Sequence, residues 1–300
     1  MARTGVCEYH DTQEHQQPKH AHSFRPQALH ECVSIPVMRF NWVVLLFIGF
    51  ATVSAYGQDN YEIQVYGSDT VDPGATMVEF HTNFTAQGSK TVADGVAPTN
   101  HAVHETIEIT QGWNDWFETG FYIFTSARSG DGWDWVGDHI RPRFRVPEKW
   151  HWPVGVSLSN EVGYQRAKFS EDTWTWEMRP IVDKKIGKWY LSFNPTVDKA
   201  LHGPNVGRGF EFSPNFKVSY DFSKVVSGGL EYYGAIGPFT SFDPLADQQE
   251  QFFPSIDLNV SPDWELNFGV GWGVTRSTDH LIIKAIVGRR FSWKKAKPSW

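Results

Sequence analysis

An all-β chain, folded as an antiparallel up-and-down transmembrane β-barrel of about 12 strands (range 10 to 14), is what three features of the sequence predict. Apolar residues recur at every second position from about residue 76 to residue 291. The connections between such runs alternate between short and long, and tryptophans gather toward both ends of the runs.

Composition admits this class and removes others. The 300 residues include 14 Trp, 10 Tyr and 22 Phe, an aromatic content that needs a physical home. A net charge of −7 with 20% charged residues excludes a polybasic nucleic-acid binder. A mean hydropathy of −0.40 excludes a bundle of transmembrane helices, each of which needs about 20 apolar residues. A barrel passes that test because only alternate residues face lipid.

Residues 1–37 hold scattered histidines (His10, His15, His20, His22, His30) without regular ligand spacing, and are expected to be a non-native upstream extension or disordered. From Met38 the chain reads as a basic start (Arg39), an apolar run over 42–50 too short to span as a helix, and small residues at Val53 and Ala55. Residues 38–55 are therefore expected to be a signal peptide cleaved before Tyr56. Both cysteines, Cys7 and Cys32, precede that point, so the exported chain has none. Residues 56–75 are read as an N-terminal periplasmic segment, 76–293 as the barrel and 294–300 as a C-terminal tail.

Parity makes the strands countable. Over 264–274 the even positions are Trp264, Leu266, Phe268, Val270, Trp272 and Val274, against Glu265, Asn267, Gly269, Gly271 and Gly273; over 210–221 even Phe210, Phe212, Phe216, Val218 and Tyr220 oppose Glu211, Ser213, Asn215, Lys217 and Ser219. The same count gives strands at about 76–85, 103–111, 116–126, 139–146, 154–165, 174–184, 189–198, 210–221, 225–236, 251–260, 264–275 and 281–291. Long connections are expected at 86–102, 127–138, 166–173, 199–209 and 237–250. Strands of about 10 residues tilted near 40° cross about 25 Å.

A soluble β-sandwich also alternates, but it gives no reason for connections to alternate by end or for Trp to split into two groups. Here Trp113, Trp116, Trp150, Trp152, Trp189 and Trp264 lie at the short-turn end, and Trp133, Trp135, Trp174, Trp176 and Trp272 toward the other. Two interfacial girdles account for that split. Pro142, Pro180, Pro195, Pro214 and Pro254 fall on the lipid-facing parity inside strands, where each removes a ladder donor, so bends or bulges are expected there.

From residues 62–67 (Glu-Ile-Gln-Val-Tyr-Gly) through residues 291–293 (Phe-Ser-Trp), including the hairpin Glu108 to Gly120 with its Trp-Phe-Glu-Thr-Gly run and the last strand ending at Phe291, the chain resembles the outer-membrane β-barrel proteins grouped as a phenol meta-pathway transporter-like family. That resemblance implies uptake of small aromatic or hydrophobic compounds and transfers no binding residues. The chain departs from it at the C-terminus, where Phe291 and Trp293 are followed by a further segment ending in Trp300.

The inward parity holds the candidate pore-lining residues Arg141, Arg143, Arg145, Glu118, Glu161, Glu177, Arg179, Glu211, Lys217, Glu231, Asp257 and Lys284, with Glu79, His81, Glu108, Glu265 and Arg290 on the same face. The three arginines on one strand form a basic ladder. Two readings stay open: a charged lining that selects solutes, or side chains that fill the lumen as a plug. Tyr122, Phe124, Tyr190 and Tyr233 also point inward.

Motifs for chemistry are absent: there is no G-x-S-x-G, no H-E-x-x-H, no phosphate loop and no cysteine nucleophile after residue 55. The run 130–138 has three carboxylates but not the spacing of a Ca²⁺ loop, and reads as a solvated turn. The expectation is a bacterial outer-membrane pore for small solutes, with no enzyme activity, no cofactor and no metal. Its partners would be outer-membrane lipid, the barrel-assembly machinery and a small solute, not nucleic acid. A barrel-wall hydrolase and a secreted aromatic-rich binding sandwich are the alternatives.

Overall fold

The structure is a computed structural model that describes residues 60–292. The expectations for residues 1–37, for the signal peptide at 38–55 and for the tail at 294–300 lie outside the described residues.

Twelve long strands form one antiparallel sheet that closes on itself. In chain order they are β1 Ala75–Gln87, β2 Val103–Asn114, β3 Phe117–Arg128, β4 Gly132–Arg145, β5 Gly155–Gln165, β6 Trp174–Ile186, β7 Trp189–His202, β8 Glu211–Asp221, β9 Val226–Ala235, β10 Gln249–Leu258, β11 Trp264–Gly273 and β12 Leu281–Ser292. Each pairs with its neighbour in the chain, and β1 pairs with β12 from Ala75 opposite Ser292 to Gln87 opposite Leu281, which leaves no free edge. A two-residue strand, Gly237–Pro238, continues the β9 side of the wall along β8. The helical turns Glu148–Trp150 and Pro204–Arg208 lie in connections.

The two-residue period becomes two faces. On β1, Met77, Glu79, His81, Asn83 and Thr85 are buried in the lumen while Phe80 is exposed on the outer wall; on β12, Ile282, Lys284, Ile286 and Gly288 point in while Ile283 and Val287 point out. The outer wall carries Ile109, Phe121, Ile140, Leu158, Leu191, Phe268 and other apolar side chains, the surface that lipid solvates. Trp113, Trp116, Trp150, Trp152 and Trp189 ring the end where β1 begins, here the turn end; Trp133, Trp135, Trp174 and Trp272 ring the opposite, loop end. Arg289, also on the outer parity, lays its guanidinium 5.2 Å over the ring of Trp264 and 5.4 Å over that of Phe291 at the turn end.

The structure differs from the sequence expectation in three places. First, 127–138 is not a long loop: β3 and β4 are joined by residues 129–131, and β4 starts at Gly132, so most of the run read as a solvated turn is strand. A bulge is the reason. Trp133 and Trp135 face out, then Val136 and Gly137 are both buried, and from His139 onward the odd residues face in. Second, the prolines interrupt ladders without ending strands. Pairing of β4 with β5 lapses between Ile140–Val162 and Arg143–Ser159, of β6 with β7 between Met178–Val197 and Val182–Phe193, and of β10 with β11 between Phe252–Trp272 and Ser255–Gly269. These gaps contain Pro142, Pro180, Pro195 and Pro254. Pro214 stays in register opposite Pro195 in an unbroken β7–β8 ladder.

Third, the segment expected to lie outside the barrel ahead of β1 is inside it. Tyr61, Glu62, Ile63, Val65, Tyr66, Ser68 and Val71 are all buried, in contact with inward side chains of strands around the whole wall.

Candidate functional site

The lumen is the candidate site, and a strap formed by residues 60–73 runs down it. At the loop end the Asn60 side chain donates to Asp279, and Asn83 and Thr106 donate to the Tyr61 carbonyl. At mid-depth Lys284 donates to the Ile63 carbonyl at 3.1 Å, while the Tyr66 backbone is held on both sides, its N–H by Asn194 Oδ1 at 2.9 Å and its carbonyl by Ser192 and Asn194. Lower down, Asp183 accepts from the Ser68 N–H and hydroxyl, Arg143 donates to the carbonyls of Gly67 and Asp69, and Glu118 accepts from the Val71 N–H. The chain then turns at the rim into β1, with the Gly74 N–H donating to the Gly112 carbonyl. Gly112 and Gly155 give the strap room: a Cβ at Gly112 would run into the carbonyls of Val71 and Asp72, and one at Gly155 would lie 3.1 Å from Ser68 Cβ.

An extended segment with no sheet of its own leaves its backbone polar groups unpaired unless the surroundings supply partners. Here the wall supplies them, with Asn83, Thr106, Arg143, Asp183, Ser192, Asn194 and Lys284 aimed inward. The strap side chains complete two apolar clusters, Tyr61 with Tyr122, Phe124 and Val136, and Ile63 and Val65 with Tyr233, Phe253 and Ile282.

Every candidate pore-lining residue faces the lumen, and most are engaged there. Around Tyr66, Arg141 pairs with Glu108 at 2.6 Å and Glu118 at 3.4 Å, and Arg143 with Glu118 at 3.6 Å. The guanidiniums of Arg141, Arg143 and Arg179 lie 5.0, 5.6 and 5.0 Å from the Tyr66 ring centroid. Arg145, at the rim, donates to the Asp115 carbonyl and pairs with Asp69. The basic ladder therefore clamps the strap. Across the lumen Glu231 pairs with Lys284 and with Lys217 at 3.2 Å, and Lys217 with Asp257 at 2.9 Å. Toward the loop end Arg179 pairs with Glu177 at 2.8 Å and Glu62 at 3.4 Å, Glu161 with His139, and Glu211 with Arg208 at 2.7 Å.

Two of the open spaces along the strap lie toward opposite ends of the barrel. One at the loop end, about 120 Å³, is lined by Glu62, Glu161, Glu177, Asp198, Glu211 and Asp172 with Arg179, Lys199, His139 and Phe124, an excess of acids. The other, at the turn end and about 340 Å³, is lined by Gln64, Val65 and Gly67 with Lys217, Glu231, Asp257, Glu265 and Arg290. Glu62 borders the first and Gln64 the second, so the strap stands between them.

Sequence reasoning missed the strap and its anchors Asp183, Ser192 and Asn194. The available signal was composition: Tyr61, Ile63, Val65, Tyr66 and Val71 fall within eleven residues, more apolar than a solvated tail.

No protein-family model matches the chain, and no curated protein matches it. Solved structures of similar fold include an outer-membrane channel from Pseudomonas putida F1, at 11% identity and a TM-score of 0.52 over 77% of this chain and 100% of that one. The NanC porin matches at 9% identity and a TM-score of 0.47 over 73% and 100%, and the KdgM porin in complex with disordered oligogalacturonate at 10% and 0.44 over 73% and 99%. At such identities the likeness is one of fold.

Proposed function

We propose that the chain is an outer-membrane channel for small solutes, held closed by its own N-terminal strap. The observation that carries the reading is the threading of residues 60–73 through a lumen in which Asn194, Asp183, Arg143 and Lys284 hydrogen-bond the strap backbone. The outer face supports the membrane setting, since a closed barrel with an apolar wall between two tryptophan girdles is built for lipid. Export by the signal peptide at 38–55 and folding by the barrel-assembly machinery belong to the same reading.

Burying each of Tyr61, Ile63, Val65 and Tyr66 is worth about 1.5–3 kcal/mol. Forgoing even two of these makes release cost about 4 kcal/mol, which leaves roughly one channel in a thousand open. A solute arriving at the loop end first meets the acid-rich cavity, which favours cations over anions. A second solute class, small aromatic compounds, is favoured by a different observation: withdrawing Tyr61, Ile63 and Val65 uncovers Tyr122 with Phe124 on one side and Tyr233 with Phe253 on the other.

Uptake into proteoliposomes of matched cationic, anionic and aromatic solutes, with the strap present and deleted, tests the reading. Uptake is expected only after deletion, cations ahead of anions. No uptake in either form would reject the channel.

A further inference from the structure

Beyond the channel reading, we propose that Glu79, His81 and Glu108 form a binding site for a first-row divalent transition-metal ion, of the Zn²⁺ class, in the lumen wall. Glu79 and His81 stand two residues apart on the inward face of β1, and Glu108 is the cross-strand partner of Glu79 on β2. All three are buried, and one ligand atom from each lies within 4.8 Å of the others.

What the three residues lack points to an ion. Two carboxylates directly opposite on adjacent strands repel, and the repulsion is larger away from water. Glu108 has Arg141 on Oε1, but among the described residues no Lys, Arg or His approaches Glu79 within ion-pair distance. Glu79 Oε1 accepts no hydrogen bond, and neither ring nitrogen of the fully buried His81 makes one, although Nε2 stands 3.4 Å from Glu108 Oε2. A buried imidazole that makes no hydrogen bond and a buried carboxylate oxygen that accepts none, each costly alone, become favourable when they share a cation. Glu265, on β11, adds further negative potential: a Cβ at Gly288 would lie 2.7 Å from Glu79 Cγ and 3.3 Å from Glu265 Cβ, so that glycine admits both side chains.

The donor set selects the metal. One imidazole nitrogen with two carboxylate oxygens suits Zn²⁺, Co²⁺ or Mn²⁺, whereas Ca²⁺ and Mg²⁺ take oxygen ligands. Bonds of about 2.1 Å in a tetrahedron need ligand separations of about 3.4 Å, so the three side chains close on the ion by about an ångström. A cavity of about 180 Å³, lined by Glu79, Glu108 and Glu265 together with Arg141, Arg143 and Arg290, borders the two carboxylates and gives space for water ligands.

The test is Co²⁺ and Zn²⁺ binding to the full chain purified in detergent, with metal per chain measured after desalting and the Co²⁺ visible spectrum recorded. One ion per chain more than in His81→Gln or Glu79→Gln is expected, with affinity at least tenfold weaker in either variant and no competition from excess Mg²⁺. Subtracting the variants removes any ion held by other histidines. His81→Cys is a positive control that survives misfolding of the others: a coordinating thiolate would add a near-ultraviolet charge-transfer band with Co²⁺. Equal stoichiometry and affinity in the parent and both variants, or no such band in a folded His81→Cys chain, would overturn the site.

Discussion

The guanidinium of Arg179 lies 5.0 Å from the ring centroid of Tyr66, joining a β6 side chain to the strap at the middle of the lumen. Arg141 and Arg143 approach the same ring, and the Tyr66 hydroxyl donates to Glu62. Three buried guanidiniums approach one ring, whose quadrupole attracts each of them while the ring fills the bore. Tyr66→Phe keeps that face and should cost about 1 kcal/mol for the lost hydroxyl contacts. Tyr66→Ala opens a cavity as well and should cost about 3–5 kcal/mol. Equilibrium unfolding in detergent checks both values, and protease access to the strap should rise in the alanine variant alone.

Arg143 offers a sharper test of the clamp, because its Nη2 donates to the strap carbonyls of Gly67 and Asp69. Arg143→Ala should raise the frequency of channel openings, and Arg143→Glu should raise it further by placing an acceptor against those carbonyls and against Glu118. A change of ion selectivity at unchanged open frequency would put Arg143 on an open conduction path instead.

Lys284 is buried against Glu231 and the Ile63 carbonyl. Lys284→Met leaves the buried Glu231 carboxylate with Lys217 as its remaining cation among the described residues, beside the hydroxyls of Tyr233 and Ser255, and should cost about 3–5 kcal/mol. Adding Glu231→Gln should recover much of that loss. A double-mutant cycle by urea titration in detergent measures the coupling, and strictly additive costs would contradict a direct pair.

The assignment of faces is testable at the wall. Phe80 is exposed midway along β1, with Ile107 and Val287 as cross-strand partners. Phe80→Arg should cost about 2–4 kcal/mol in lipid, whereas Ser219→Arg, beside the turn-end cavity, should cost little. Equal costs in a bilayer folding titration would mean that the faces are exchanged.

Much of the wall was legible because a period of two survives wherever one face meets lipid and the other a polar lumen. Trp264, Leu266, Phe268 and Val270 against Glu265, Asn267 and Gly269 carry that contrast. It failed at β4 because the bulge at Val136 and Gly137 shifts parity by one, so Trp133 and Trp135 read as turn residues cut off from His139 and Arg141. The inward list came from the same parity and the side chains do face inward. Their employment was not legible, since parity says which way Arg143 points and not that Gly67 waits there. The strap itself obeys no alternation because it is enclosed on all sides: Glu62 and Ile63, adjacent in sequence, are both buried.

Single-channel conductance of the full chain, compared with a chain lacking residues 60–70, tests the closed-by-strap account most directly. Rare, brief openings or silence are expected from the full chain and steady conductance from the deletion, with the fold of each verified by heat-modifiable gel mobility. Steady conductance of equal size from both would contradict it.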